Sequence, residues 1–432
     1  MNKYKSYKSS GVDWIGDIPS DWEVSRIKKY FIERNEKVND IDFPPLSVTK
    51  NGVVPQLDNV SKSDNHDDRK KVCTNDFVIN SRSDRKGSSG LSRLLGSVSL
   101  INIVLEPRNI NPSYTEYLFK SYNFIEEFFK NGKGIHWDLW STRYSELKNI
   151  IIPVPTLEEQ KVIVNFLDEK KVLIDRLISN KEQKINLLKE QKVSLINHIV
   201  TKGLNPNSKM KESGIEWIGE IPKGWTKIKL RYLGELYGGL TGKSGVDFNN
   251  DENPKNKPYI PYTNIYNNIY ISKNHFHYVS IDEGEKQNLV KKNDLFFLMS
   301  SETYQDLGKS CILIDQVDEL YLNSFCKGFR VNRKDVNPIF LNYQLSSQTV
   351  KELISIEGNG YTRINLRQDR LLETICFIPP IDEQKEIIIF FDSKTREIDN
   401  LIQLEQNIIS LLKQYKLSLI SEVVSGKIKV TH

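Results

Sequence analysis

Three short stretches carry residue types that catalytic or metal-binding motifs use. Residues 238–244 (GGLTGKS) have the look of a phosphate-binding loop, but that loop requires a glycine five positions before Gly242, where Tyr237 stands. The tripeptide Glu-Gln-Lys begins at Glu159 and again at Glu383, in the Glu-x-Lys form found in metal-dependent nucleases. No Pro-Asp strand precedes either copy, and carboxylates favour helix starts, so helix capping explains both.

The third stretch places His275 and His277 on either side of Phe276, a strand-like spacing that directs two imidazoles to one face. No nearby cysteine or acidic triad completes a metal site, so exposed or strand histidines are the simpler interpretation. The cysteines stand singly, without the close pairs of a zinc site or a redox dithiol, and we expect them to be reduced. They are Cys73, Cys311, Cys326 and Cys376.

Motifs for methyl transfer and for ATP-driven movement are missing from the chain. An adenine methyltransferase needs a glycine-rich cofactor loop, and an Asn or Asp followed by Pro-Pro and an aromatic ring that holds a flipped base. Neither pattern occurs in the sequence, and helicase-type ATP motifs are missing as well. The sequence therefore predicts no catalytic residue, no metal and no cofactor of its own.

Polar, basic loops that contain glycine are the remaining candidates for function. They are residues 81–90 (SRSDRKGSSG), 131–137 (NGKGIHW) and 358–367 (GNGYTRINLR). Arginine forks to guanine edges or phosphates, asparagine pairs with adenine, and glycine lets the backbone approach closely. A merely solvated loop explains any single residue equally well. The predicted DNA-binding residues are Arg82, Arg85, Lys86, Lys133, Arg143, Lys243, Tyr262, Asn264, Arg363 and Arg367.

An internal repeat determines how these loops must be positioned. Residues 10–22 (SGVDWIGDIPSDW) match residues 213–225 (SGIEWIGEIPKGW), so that Trp14 corresponds to Trp217 and Trp22 to Trp225. A second match joins PTLEEQKVIVNFLDEK, from residue 155, to PPIDEQKEIIIFFDSK, from residue 379, and continues without a gap to the end of each half. One architectural plan is present twice.

Both matching tails have the hydrophobic period of a long helix. Apolar residues recur at alternating steps of three and four, as in a coiled coil, and acidic residues stand at each start. Roughly 45 residues make a rod of about 65 Å, which one apolar stripe does not stabilise alone, so we expect the helices to pair, antiparallel, about a pseudo-two-fold axis. The stripes are Ile163, Leu167, Ile174, Leu177, Leu188, Leu195 and Ile199, and Ile387, Phe391, Ile398, Leu401, Leu412, Leu419 and Val423.

Between motif and helix, each half contains a stretch of mixed strand and loop character, which we interpret as an α/β or α+β globular domain. The two stretches have diverged, yet NDFVINS at residue 75 still matches NDLFFLMS at residue 293, and NPSYTEYLFKS at residue 111 matches NPIFLNYQLSS at residue 337. The expected domains are 1–154 and 205–378, each a tryptophan motif with a globular domain, and the helical spacers 155–204 and 379–432.

Composition is compatible with this plan but does not select a function. Hydrophobic residues make up 38% and charged residues 27% of the 432 residues, as in a folded protein of more than one core. The net charge of +5 suits a polyanionic partner without requiring one. The polar N-terminus lacks a signal-peptide core and no segment has the length of a membrane span, so we expect a cytoplasmic protein.

The two tryptophan motifs, the two Pro-x-x-x-Glu-Gln-Lys helix starts and the repeat together resemble the specificity subunit of type I restriction-modification systems, over nearly the whole chain. The resemblance implies two target recognition domains that read a bipartite, asymmetric site in double-stranded DNA. It also implies two DNA methyltransferase subunits docked on the helices and ATP-dependent translocase and nuclease subunits. S-adenosylmethionine, ATP and magnesium would then belong to the partners, and this chain would be non-catalytic.

Two other classes of protein remain open. One is a self-contained DNA methyltransferase or nuclease with its own recognition domain, which the missing motifs disfavour. The other is a duplicated coiled-coil adaptor that binds protein only, which the basic loops disfavour.

Overall fold

The chain folds into two compact units that follow the repeat. Unit 1 comprises Met1–Glu182 and Gln406–His432, and unit 2 comprises Gln183–Glu405. Each unit contains one tryptophan motif, one globular domain and a part of both long helices. The computed structural model describes residues 3–57, 68–134, 140–248, 255–360 and 363–430.

Unit 1 is a mixed α and β structure made of short strands with a pair of short helices. Its strands are β1 (Tyr7–Ser9), β2 (Asp17–Pro19), β3 (Glu23–Arg26), β4 (Phe31–Glu33), β5 (Lys37–Val38), β6 (Leu46–Thr49), β7 (Gly52–Pro55), β8 (Arg69–Val72), β9 (Phe77–Asn80), β10 (Ser89–Leu91), β11 (Gly96–Ser99), β12 (Asn102–Pro107) and β13 (Ile151–Val154). Its helices are α1 (Pro112–Phe119), α2 (Tyr122–Lys130), α3 (Tyr144–Leu147), the first part of α4 (Leu157–Lys202) and the last part of α9 (Ile381–Val424).

An antiparallel sheet of strand order β10-β9-β12-β4 forms the centre of unit 1. Helices α1 and α2 bring aromatic side chains to it, and the rings of Phe119 and Phe124 stack with centroids 4.2 Å apart. Phe31 and Phe77, from β4 and β9, each lie 5.2 Å from the Phe119 ring. All four rings are buried, so this aromatic cluster is the core of the unit.

Unit 2 repeats this arrangement with other side chains. Its strands are β14 (Met210–Glu212), β15 (Glu220–Pro222), β16 (Thr226–Lys229), β17 (Gly234–Gly238), β18 (Asn256–Ile260), β19 (His277–Ser280), β20 (Leu295–Leu298), β21 (Ser300–Ser301), β22 (Ser310–Ile312), β23 (Tyr321–Leu322), β24 (Cys326–Val331), β25 (Ile364–Asn365) and β26 (Ile375–Ile378). Its helices are the last part of α4, then α5 (Tyr262–Asn267), α6 (Pro338–Ser346), α7 (Gln348–Ser355), α8 (Gln368–Leu372) and the first part of α9 (Ile381–Val424).

The central sheet of unit 2 has the order β22-β20-β24-β17, which is the order of unit 1 with each strand replaced by its equivalent. The turn before β9 and β20 explains why Asn-Asp persists in both halves. Asn75 and Asn293 have φ values of 71° and 69°, a left-handed conformation that asparagine tolerates. The carboxylates of Asp76 and Asp294 each accept a backbone N–H three residues upstream, at 2.8 Å. The Asn-Asp pair that persists in both halves is therefore the part of the sequence that forms the turn.

The second tryptophan of each motif is buried against the start of a long helix. In unit 1 the Trp22 indole donates to Glu159 at 2.9 Å, and in unit 2 the Trp225 indole donates to Glu383 at 3.1 Å. Glu159 and Glu383 were predicted to stand at helix starts, and in the structure each carboxylate there accepts a hydrogen bond from a tryptophan indole. Burial raises the pKa of Glu383, and the Trp225 indole opposes this rise.

The glutamine of each Glu-Gln-Lys triplet ties the same helix start to the backbone of the globular domain. Gln384 is fully buried; its amide donates to the carbonyls of Asp335 at 2.9 Å and Pro379 at 2.7 Å, and its oxygen accepts the Asn337 N–H at 2.7 Å. Gln160 accepts the Asn111 N–H in the equivalent way, also at 2.7 Å. Because Asn111 and Asn337 cap α1 and α6, each glutamine joins two helix starts.

The two predicted long helices are confirmed as α4 and α9. In unit 2 they run antiparallel, since Lys184 pairs with Glu405 at 2.6 Å and Lys192 with Asp399 at 2.7 Å. Lys184, near the middle of α4, thus forms its ion pair with a carboxylate that is almost fully buried. In unit 1, Asp175 of α4 pairs with Lys416 of α9.

Two members of the predicted apolar stripes are wrong. Leu177 and Leu401 are exposed, and the buried position next to Leu177 is Ile178. A strict alternation of three and four drifts around a straight helix, so the buried face moves by one residue near the middle. Among the described residues, no helix, long or short, has an apolar stretch sufficient to cross a bilayer.

We expect the substitution Gln384→Leu to lower the free energy of unfolding by about 3 kcal/mol, because it leaves a buried N–H and two buried carbonyls without this partner. Urea unfolding of the full chain measures the change. Gln191→Leu, at an exposed position of α4, is the matched control and should stay within about 0.5 kcal/mol of the wild type. Equal shifts for both variants would show that the glutamine does not hold the helix start.

Candidate nucleic-acid interface

In unit 1, the loop after β9 meets two other segments of chain, and we call this meeting point junction 1 (residues 81–83, 131–134 and 140–143). Thr142 N–H donates to Ser81 O at 3.0 Å, and Ser83 N–H donates to Trp140 O at 3.1 Å. Lys133 and Ser141 exchange two backbone hydrogen bonds of 3.1 Å. The loop after β9 is thus held in one small sheet with two segments that are close to each other in sequence but distant from it.

Five of the predicted DNA-binding residues project from junction 1 or its immediate neighbourhood. Three carboxylates lie among them: Asp84 binds Arg82 at 2.9 Å and lies 3.6 Å from Arg85, Glu126 binds Lys86 at 2.7 Å, and Glu146 binds Lys133 at 3.2 Å. Hydrogen bonds from Ser145 and then Lys133 lower the pKa of Glu146, so this carboxylate stays charged. The surface keeps an excess of positive charge. The five cations are Arg82, Arg85, Lys86, Lys133 and Arg143.

Unit 2 has the same backbone arrangement, which we call junction 2 (residues 299–301, 357–360 and 363–367). Leu366 N–H donates to Met299 O at 2.8 Å, as Thr142 does to Ser81. Asn359 and Asn365 exchange hydrogen bonds of 3.1 and 2.9 Å, as Lys133 and Ser141 do. These bonds make Arg82 equivalent to Ser300, Lys133 to Asn359, and Arg143 to Arg367.

Glycine is required where junction 2 turns. Gly360 has a φ of 142°, and a Cβ atom there would lie 2.1 Å from the carbonyl oxygen of Arg363. Gly134 is the equivalent residue in junction 1, where a Cβ would meet Trp140 at 2.5 Å. Both glycines permit a close approach of two backbone segments. The sequence-predicted loop residues at 135–137 and 361–362 lie outside the described residues.

Arg363 and Arg367 are the basic residues of junction 2, and both are exposed. Arg367 holds Asp369 at 3.0 Å and thereby lowers the pKa of that carboxyl. The guanidinium of Arg363 lies over the Phe325 ring, 5.4 Å from its centroid. Arg143 and Arg367 each precede the first residue of a short helix, α3 and α8, so the repeat keeps one arginine at one place in both units.

Three predicted residues of unit 2 have structural partners instead. The Lys243 side chain is 7% exposed and binds Glu285, whose pKa falls to about 2 because of this hydrogen bond first and one from Gln287 second. Asn264 is 1% exposed and donates to Ser272 O at 2.9 Å. The Tyr262 hydroxyl donates to Ser300 O at 3.0 Å, next to junction 2. We therefore leave Lys243 and Asn264 out of the interface and keep Tyr262 as a supporting residue.

The other stretches considered from sequence show no catalytic arrangement in the described parts of the chain. His277 lies in β19 while His275 lies in a helical turn, so they do not share one strand. No group of three His, Cys, Asp or Glu side chains within the described ranges could hold a metal ion. The four cysteines are free, and burial raises the pKa of the Cys376 thiol to about 12.

Sequence reasoning missed an apolar component of this surface. Phe325 is 59% exposed in the turn before β24, and Ile101 occupies the equivalent turn before β12 and is also exposed. The pairing of Leu298 with Cys326, and of Asn80 with Asn102, places each turn beside the loop that enters the junction. Phe325 and Ile101 are residue types that usually lie in a protein core, so nothing in the sequence identified them as exposed.

Two domains with one frame, different loop side chains and two long helices define a duplicated protein with one basic surface in each half. The model of the family "Type I restriction modification DNA specificity domain" matches residues 19–190 and 222–414. The chain belongs to this family of type I restriction-modification specificity proteins.

Known relatives agree over almost the whole length. The type I restriction enzyme MjaVIII specificity subunit of Methanocaldococcus jannaschii is 26% identical over 435 residues, which cover 96% of this chain and 94% of that protein. The HsdS subunit of Thermoanaerobacter tengcongensis has a similar fold, with a TM-score of 0.57, 14% identity, and coverage of 95% of this chain and 98% of that one. A chain from a study of type I R-M complex assembly and conformational transition reaches a TM-score of 0.68 at 13% identity, with coverage of 95% and 99%.

We expect Arg143→Ala and Arg367→Ala each to weaken DNA binding about equally for target and non-target sequences, and to reduce the salt dependence of binding by about one unit of slope. A phosphate contact behaves in this way because it carries no sequence information. Fluorescence anisotropy at several salt concentrations, on the chain bound to its methyltransferase partner, measures both quantities.

Arg333→Ala is the matched control, because Arg333 follows the end of β24 that lies away from junction 2 and pairs with Asp335. It should leave the slope unchanged. A variant of Arg143 or Arg367 that lost discrimination between sequences while keeping its salt slope would indicate a base contact instead of a phosphate contact.

Proposed function

We propose that this chain is the non-catalytic DNA-specificity subunit of a type I restriction-modification complex. It reads a bipartite, asymmetric site in double-stranded DNA, one part with the residues around junction 1 and the other with those around junction 2. Two methyltransferase subunits and the ATP-dependent translocase and nuclease subunits act at the site that it selects. The methyl donor, ATP and magnesium belong to these partners.

The observation that carries the proposal is a single backbone frame that presents different side chains in two places. The hydrogen bonds that join the segments of each junction run between backbone atoms, so most side chains there can change without loss of the frame. Arg82, Lys133 and Ser141 in junction 1 are replaced by Ser300, Asn359 and Asn365 in junction 2. Different donors and acceptors on one frame are what two readers of different base sequences require.

The retained basic side chain has a different role in this proposal. Arg143 and Arg367 occupy the same position in both junctions, and the feature common to any two DNA sequences is the phosphate backbone. We assign these arginines to phosphate, and Arg82, Lys133, Asn359 and Arg363 to base edges. Phe325 and Ile101 supply an apolar surface of the kind that contacts a thymine methyl group.

The domain boundaries follow from the assignment of DNA reading to the two junctions. Residues 1–154 and 205–378 form the two target recognition domains with their tryptophan motifs, and residues 155–204 and 379–432 form the helical spacers. The spacers measure the distance between the two parts of the DNA site.

Purified chain alone should show no methylation and no cleavage of DNA when it is given S-adenosylmethionine, ATP and magnesium. Addition of its methyltransferase subunit should produce methylated adenine, which mass spectrometry of the hydrolysed DNA detects. Turnover by the chain alone would favour a self-contained methyltransferase or nuclease. Failure of the assembled complex to bind DNA would favour a protein-only adaptor.

Lengthening both helices should lengthen the unspecified spacer of the DNA site. Four residues inserted between residues 182 and 183, with four more between residues 405 and 406, leave the pairs Lys184–Glu405 and Asp175–Lys416 in register. They add about 6 Å of helix, and DNA rises roughly 3.4 Å per base pair, so we expect about one or two more base pairs.

Methylome sequencing of cells that express this variant with its partners measures the spacer. Both specified parts should remain unchanged. Insertion in α4 alone is the control and should abolish methylation, because it moves the helix pair out of register. Full activity of the double insertion with an unchanged spacer would show that the helices do not set the distance.

A further inference from the structure

The fold buries only one of the two tryptophans of each motif completely. Trp225 is 1% exposed and lies in the core with Ile221 and Phe377, whereas Trp217 is 55% exposed. Trp14, its equivalent in unit 1, is partly exposed and meets Phe124 edge-on at 6.0 Å. The buried indole nitrogen of Trp14 has no acceptor among the described residues. The repeat has thus kept a large apolar side chain that the core covers only in part at Trp14 and leaves largely exposed at Trp217.

Each of these tryptophans forms one wall of an open groove. In unit 2 the groove has a volume of about 590 Å³ and lies between Trp217, the last turns of α4 and Thr349 of α7. In unit 1 the groove has a volume of about 690 Å³ and lies between Trp14 and α2, with Asn123 on its wall. Asn123 and Thr349 are both the second residue of their helices, so the grooves occupy equivalent positions.

Both grooves carry additional exposed apolar surface. Val193 of α4 lines the groove of unit 2 and is 46% exposed, and Tyr122 of α2 lines the groove of unit 1 and is 64% exposed. An exposed tryptophan beside further apolar side chains is the composition of a protein interface rather than of a solvated surface.

The charges of the grooves exclude the DNA backbone as the common occupant. Asp13, Glu126 and Glu127 line the groove of unit 1 against the single cation Lys130, so its lining is acidic and repels phosphate. The groove of unit 2 is mixed, with Lys189 and Lys202 near Glu190. The property that the two grooves share is the tryptophan, and its occupant is therefore held by an apolar contact.

We propose that the Trp14 groove and the Trp217 groove are equivalent docking sites for two copies of one protein partner, each of which places an apolar side chain against the indole ring. Equivalent sites on one chain fit a partner that binds twice, and under the proposed function that partner is the methyltransferase subunit. This inference rests on the proposed function for the identity of the partner.

The test uses the full chain co-expressed with its methyltransferase subunit, and native mass spectrometry counts the subunits in the purified complex. We expect two methyltransferase subunits on the wild type, one on Trp217→Ala, one on Trp14→Ala, and none on the double variant. A buried interface tryptophan is commonly worth tenfold or more in affinity, so at about three times the wild-type Kd the wild-type sites should be mostly filled and a variant site mostly empty.

Two further variants separate docking from folding. Ser194→Arg adds a bulky side chain at an exposed position in the Trp217 groove without touching the core, and it should also leave one subunit bound. Tyr232→Ala removes an exposed aromatic ring that does not line either groove, and it should leave two subunits bound.

The possible outcomes distinguish failure of the docking sites from failure of the proposed function. A wild-type chain that binds no methyltransferase subunit would overturn the proposed function itself. A wild type that binds two while the tryptophan and Ser194 variants also bind two would overturn the docking sites and leave the proposed function intact. Loss of DNA affinity in the tryptophan variants, with two subunits still bound, would instead make the grooves part of the nucleic-acid interface and overturn the inference.

Discussion

The rest of each unit depends on one partly buried interaction, the hydrogen bond from a tryptophan indole to a glutamate in the first turn of a long helix. The bond from Trp22 to Glu159 joins residues 137 positions apart, and that from Trp225 to Glu383 joins residues 158 positions apart. Directly after each tryptophan comes a strand, β3 or β16, that pairs with the strand leading into the helix, β13 or β26. The interaction therefore closes the globular domain and orients its helix at the same time. The neighbouring glutamine adds the first short helix to the same point.

A frame fixed in this way allows its loops to differ. Asp76 and Asp294 hold the turn before the strand that leads into each junction, and backbone hydrogen bonds join the segments of each junction. Buried backbone groups that find partners within the frame do not depend on the identity of exposed side chains. The exposed side chains of the two halves can thus diverge while the backbone frame that holds them stays constant.

The sequence predicted those features that depend on local pattern or on the repeat. Helical periodicity is a local property, so α4 and α9 were evident, and the repeat disclosed two similar domains. Lys243 and Asn264 could not be excluded from sequence, because their partners Glu285 and Ser272 are brought to them by turns whose conformation the sequence pattern does not specify. The equivalence of Arg143 and Arg367 was hidden for a related reason. This equivalence is defined by the backbone hydrogen bonds of junction 1 and junction 2. The two junctions have few identical residues, so only the structure aligns them.

The carboxylates beside the interface arginines have a consequence for how such a protein searches a chromosome. Asp84 and Asp369 hold Arg82 and Arg367 while no nucleic acid is bound. DNA therefore competes with these carboxylates for the two arginines. The competition weakens the attraction to every sequence by the same small amount, since an exposed ion pair is worth about 0–1 kcal/mol. Base contacts gain in relative weight, because only they differ between the recognised site and the great excess of chromosomal DNA that lacks it.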